Sequence, residues 1–179
     1  MSFYSNSTYG TVVHSADGYQ QKILANDGSD LANTTLATQS ALSIPLGGYE
    51  RVMGKYTVWY DSDDTNELKF AIKNLDSSDA AIATTIYTDV TARVEESTSA
   101  DTPAAANVEG TGTYSTDGAG EVVTIDVNAS TSGLLLAVEF NALVTAATKG
   151  TLVFQAALIT GSASGTHLLA GSNVVYKKW

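Results

Sequence analysis

The sequence predicts an all-β chain, an antiparallel jelly-roll β-sandwich of about eight strands behind an extended N-terminal arm. Three observations carry this. Large apolar residues alternate with polar ones at period two in segment after segment, the pattern of a strand with one buried and one wet face. About eight such segments follow residue 35, at spacings of roughly 8–15 residues, with no comparable helical segment between them. No tandem repeat is present, which disfavours propellers and solenoids. Cysteine is absent, so the Cys–Trp–Cys core of an immunoglobulin sandwich is missing as well.

Residues 1–35 are polar and loosely patterned, with short extended pieces around Tyr9–His14 and Tyr19–Leu24. They read as an arm lying against another surface, and the sandwich domain as residues 36–179. Leu36–Leu46 reads as one strand ending near Pro45 and Gly47-Gly48. The most informative stretch follows, Tyr49–Ile72, a strand, an acidic turn and a strand. Tyr56, Val58 and Tyr60 share one face and Thr57 and Trp59 the other, so large side chains stand on both. After the turn, Leu68, Phe70 and Ile72 alternate with Glu67, Lys69, Ala71 and Lys73, which places Phe70 in the core.

Ala80–Val94 is rich in β-branched residues and reads as a strand, against a competing helix over Val90–Glu96. Glu95–Asn107, rich in Ser, Thr, Ala and Pro, reads as the longest loop. Val108–Ser115 and Glu121–Val127 flank the turn Asp117-Gly118-Ala119-Gly120 as a hairpin. Leu134–Phe140 and Thr151–Leu158 alternate in the same way about the turn Lys149-Gly150, and Thr166–Tyr176 reads as the last strand.

The chain has 179 residues, enough for one domain with a substantial core, and 44% of them are hydrophobic. Its formal charge of −10 repels phosphate backbones and anionic lipid, so nucleic acid and membrane-surface partners are not expected. A basic surface, or a cation between two acidic ones, fits that charge instead. The N-terminal MSFYSNSTYG has neither the basic nor the apolar region of a signal peptide, and no apolar run approaches the ~20 residues of a membrane helix.

No catalytic constellation is legible, and no enzymatic activity or cofactor is expected. The turn Asp61-Ser62-Asp63-Asp64-Thr65-Asn66-Glu67 is the sharpest candidate, because alternating oxygen ligands suit Ca²⁺. As an EF-hand it fails: Thr65 stands at the fifth position, Asn66 replaces the glycine, and Ile72 replaces the bidentate glutamate. Asp61, Asp63 and Asp64 are thus the metal candidates of a stretch that reads better as a solvated hairpin turn, and the turn at Asp76 and Asp79 reads the same way. His14 and His167 lie far apart, without a nucleophile elbow or a zinc-binding helix motif. Glu50, Glu67, Glu109 and Glu139 sit on strands, where outward-facing carboxylates are commoner than a glycosidase pair. Trp59, Tyr60, Tyr87 and Trp179 suit a core or a subunit interface better than a sugar platform.

Two segments resemble a jelly-roll domain of tailed-bacteriophage structural proteins. They are Tyr49–Ile72, with its aromatic strand, Asp-containing turn and ELKFAI, and Gly150–Val175, with FQAALITGSASGTHLLAGSNVV. The likeness spans roughly the last two-thirds of the chain and departs at Ala157-Leu158, where a polar residue is expected. It implies a head decoration or cement protein on the virion surface, made in the host cytoplasm, with the major capsid protein and copies of itself, as a trimer, for partners. Contacts to capsid or neighbouring subunits would then come from Phe3, Tyr4, Tyr9, Trp59 and Trp179. The alternative is a tail-fibre or receptor-binding jelly roll that contacts host glycan near Trp59 or the Glu95–Asn107 loop.

Overall fold

A computed structural model describes residues 5–7, 10–14, 17–31, 34–61, 68–95, 105–108, 112–113, 121–125, 134–158 and 167–179. Among these the chain forms strands and a single 3-10 turn, with no α-helix. The first strands are β1 (Ser5–Ser7), β2 (Gly10–His14), β3 (Gln20–Ile23), β4 (Ala37–Thr38) and β5 (Ile44–Leu46). The central ones are β6 (Arg51–Asp61), β7 (Leu68–Leu75), β8 (Thr84–Glu95), β9 (Ala105–Val108) and β10 (Gly112–Thr113). The last are β11 (Glu121–Ile125), β12 (Leu134–Val144), β13 (Gly150–Leu158), β14 (His167–Leu168) and β15 (Asn173–Lys178).

Two antiparallel sheets form a sandwich. The larger runs β1-β2-β3-β15-β6-β12-β8-β9, with β14 also on β6; the smaller runs β10-β11-β7-β13-β4, with β5 also on β13. The pairing is nested. β3 pairs with β15, β4 and β5 with β13, β6 with β12, and β7 with β11, and successive pairs alternate between the two sheets.

The alternation in sequence becomes the core. Tyr56, Val58 and Tyr60 on β6, Leu136, Val138 and Phe140 on β12, and Phe70 and Ile72 on β7 are all buried. The Tyr56 ring lies 5.1 Å from Phe140 in its own sheet and 5.1 Å from Phe154 in the other, so it ties the layers together. Phe154 in turn stacks on Phe70 at 5.6 Å. Gly54 faces inward opposite Phe140 and Tyr176, where a Cβ would stand 2.8 Å from each side chain; only glycine lets both close over β6. Burial on β13 is not alternating, since every residue from Leu152 to Leu158 is buried.

The extended pieces expected near Tyr9–His14 and Tyr19–Leu24 are β2 and β3. They do not lie apart from the sandwich as an arm would. β3 sits directly on β15, Tyr176 donates a 2.7 Å hydrogen bond to Gln20 Oε1, and Leu31 belongs to the core. Two lysines close the same side. Lys22 and Lys178 reach across to the carbonyls of Ser43 and Pro45, at the edge of the smaller sheet. Burial, and then the neighbouring Lys178, push the Lys22 ammonium below its usual range.

Three expected strands are broken, which raises the strand number above eight. Leu36–Leu46 divides into β4, the 3-10 turn Ser40–Leu42, and β5. The turn is closed by Leu42 N–H on Gln39 O at 3.0 Å, and it allows Leu42 as well as Ile44 to reach the core. Val108–Ser115 is not one strand, because Val108 ends β9 in the larger sheet and Gly112 opens β10 in the smaller. Thr166–Tyr176 divides into β14 and β15 around Gly171, whose φ of +91° L-residues rarely adopt. Within Ala80–Val94 the strand begins only at Thr84 and runs to Glu95, so the competing helix is not formed over residues 90–95; Glu96 lies outside the described residues. The Glu95–Asn107 loop is shorter than expected, since Ala105–Asn107 already pair with β8.

Candidate functional site

The inner face of β6 is core; its outer face is the place to look for function. Arg51, Met53, Lys55, Thr57 and Trp59 point outward, as do Glu139, Asn141 and Leu143 on β12 and Val175 and Lys177 on β15. Period two predicts such a face to be polar, but this one also exposes large apolar and aromatic side chains. Tyr19 is 40% exposed, Met53 37%, Tyr87 59%, Leu143 46% and Trp179 58%. A row crosses the sheet from Tyr19 through Lys177, Met53 and Asn141 to Tyr87, with Lys177 opposite Met53 and Asn141 opposite both Met53 and Tyr87. Along it lies a groove of about 560 Å³, whose lining includes Tyr19, Met53, Thr57, Tyr87, Asn141 and Val175.

Cations organise one end of this face. Lys177 Nζ lies 5.4 Å from the Tyr19 ring centre and 5.8 Å from that of Trp179, and the Arg51 guanidinium is 5.8 Å from Trp179. Arg51 donates to Asn141 Oδ1 at 3.2 Å, which links this end to the groove. Lys55 pairs with Glu139 at 3.2 Å on the groove's other flank, an exposed pair of small energetic weight.

Of the residues predicted to make contacts, Trp179 stands on this face, held by backbone bonds to Arg51 at 2.9 and 3.3 Å. Trp59 is on the same face but half-buried and outside the groove. Its backbone is bonded to Leu169 N–H at 2.8 Å and to the Ser172 hydroxyl at 3.0 Å. It lies eight residues along β6 from Arg51, roughly 26 Å, so the two tryptophans are not one site. Tyr60 is buried and belongs to the core. Phe3, Tyr4 and Tyr9 lie outside the described residues, as do Asp63 and Asp64; Asp61 is the last residue of β6. Sequence reasoning missed Tyr19, Met53 and Lys177. The available signal was a methionine and a tryptophan on the wet-side parity of β6.

Several other polar groups are engaged in structure. Asp76 accepts bonds from Ser78 Oγ at 2.7 Å, Ser78 N–H at 2.8 Å and Ala80 N–H at 3.0 Å, which hold its carboxyl below the usual range. Glu50 accepts from Gly47 N–H at 2.6 Å and lies 3.4 Å from Lys178. A second cleft, of about 420 Å³, lies between residues 24–31 and 37–41. There Asp27 accepts from Ala170 N–H at 2.8 Å, and Asp30 stands 3.4 Å from His167 Nδ1. Among the described residues, no group of three or more His, Asp or Glu could hold a metal ion. No helix among them is long and apolar enough to cross a membrane.

Comparison of the chain with models of protein families, with curated proteins and with solved structures finds no match.

Proposed function

We propose that this protein is a non-enzymatic structural protein of a bacteriophage virion, a decoration or cement protein that binds the head surface, as a trimer, through the outer face of its larger sheet. The observation that carries the reading is the exposed set of Tyr19, Met53, Tyr87, Leu143 and Trp179 on that face, in two adjacent cross-strand rows. Aromatic residues, Met and Arg are the types enriched where proteins meet, and an exposed patch of them marks an interaction surface. The nested strand pairs, alternating between sheets, support a jelly roll, because a long hairpin rolled onto itself produces that order. The sequence likeness to phage jelly-roll domains supplies the virion context.

The test is charge placed on the face. Leu143→Asp alters an exposed side chain and should leave the fold intact by circular dichroism. Sedimentation velocity of the intact chain should give an oligomer, and the variant a smaller species. Occupancy on phage heads stripped of the protein should fall in parallel. Unchanged sedimentation together with unchanged occupancy sinks the reading.

A further inference from the structure

We propose that the groove on the outer face of the larger sheet receives an extended acidic segment of a protein partner, with an apolar side chain at its centre. The inference rests on the assembly reading and specifies what that face would grip. Charge is the first argument. The described side chains at this face include Arg51, Lys55 and Lys177 against one carboxylate, Glu139, which Lys55 already neutralises. Those four groups sum to +2, or +1 with Asp89, which the register sets opposite Glu139, against −10 for the whole chain. An acidic protein that places three of its nine Lys and Arg residues at the face that carries an apolar groove offers carboxylates a place that much of its surface denies them.

Shape is the second argument. Tyr19 and Tyr87 lie four strand spacings apart across β3, β15, β6, β12 and β8, about 19 Å. An extended segment of about six residues covers that distance. Its central apolar side chain would rest on Met53 and Val175. Carboxylates next to it would meet Lys177 and Arg51 at the Trp179 end. Cations already stand over Tyr19 and Trp179, which disfavours a pyranose stacked at that end of the face. A twofold contact between identical faces would set these cations against one another.

The experiment titrates the full chain with an acetylated, amidated peptide of sequence EDLFDE, with KKLFKK as its charge-reversed control and trigalacturonate as an anionic sugar. Calorimetry should show binding of the acidic peptide alone, weakening as salt rises. Lys177→Glu and Met53→Asp should each weaken it roughly tenfold, and Lys177→Arg should retain it. Circular dichroism confirms that each variant is folded. Equal binding of both peptides, no binding of the acidic one, or preference for trigalacturonate overturns the inference. If the acidic peptide fails to bind while Leu143→Asp still abolishes self-association, the assembly reading stands and a second copy occupies the groove.

Discussion

At the scale of single residues, the core is governed by rings. Phe70 is buried against Phe154, so Phe70→Ala removes a stacked ring and is expected to cost about 3–5 kcal/mol, read as a drop in the urea midpoint. Tyr56 behaves differently, because its hydroxyl is buried without a hydrogen-bond partner. Tyr56→Phe should therefore keep the ring contacts and gain about 1 kcal/mol. Burial raises the pKa of Tyr56 and Tyr60 above the ordinary 10.0, and Tyr176 raises that of Tyr56 further. The folded chain thus keeps two protons that the unfolded chain releases near pH 10. Their contribution to stability is complete below that pH and is lost as the pH rises beyond it. The phenolate absorbance of these two residues should appear only as the β signal disappears; its appearance in a fully folded chain would contradict their burial. The positions of Phe70 and Tyr56 were legible because parity along a strand is a local property. The groove was not. Lys177 and Asn141 look like ordinary solvent-facing residues until pairing sets them beside Met53.

At the scale of elements, glycine and turns set the boundaries. Gly171 has φ +91°, and nothing stands within 4 Å of where its Cβ would be. Gly171→Ala therefore meets no steric clash, and its expected cost of about 1–2 kcal/mol is conformational alone. Thermal unfolding measures it, and an unchanged midpoint would show that the turn relaxes. The two strands that this turn separates were read as one because HLLAGSNVVY is apolar enough to hide a break. β3 was hidden for the opposite reason. Its sequence, QQKI, puts Lys22 opposite the inward Val174, where periodicity demands an apolar residue. The lysine fits because its ammonium reaches past the core to the Ser43 carbonyl, an arrangement made by a distant segment. Long hydrophobic strands such as β6 and β12 were predictable from periodicity; short ones that depend on a partner were not.

At the scale of the whole molecule, the N-terminal strands belong to the larger sheet. Deleting residues 1–16 leaves β3, Lys22 and Leu31 in place and should preserve stability. Deleting residues 1–35 strips the cover from β15 and takes Leu31 out of the core, so urea unfolding should shift to clearly lower concentration. Equal midpoints for the two truncations would show that β3 is dispensable. The nested pairing also has a consequence in time. Ile23 pairs with Asn173, a separation of 173 − 23 = 150 residues. During synthesis β3 and β6 are finished long before β15, the strand that fits between them. A nascent chain therefore waits with two unsatisfied strand edges facing one slot. Contacts of such range close slowly, on the order of milliseconds to seconds. In a crowded polysome the slot is open to the β15 of a neighbouring nascent chain. Exchange of that last strand is the way in which this fold would go astray while it is being made.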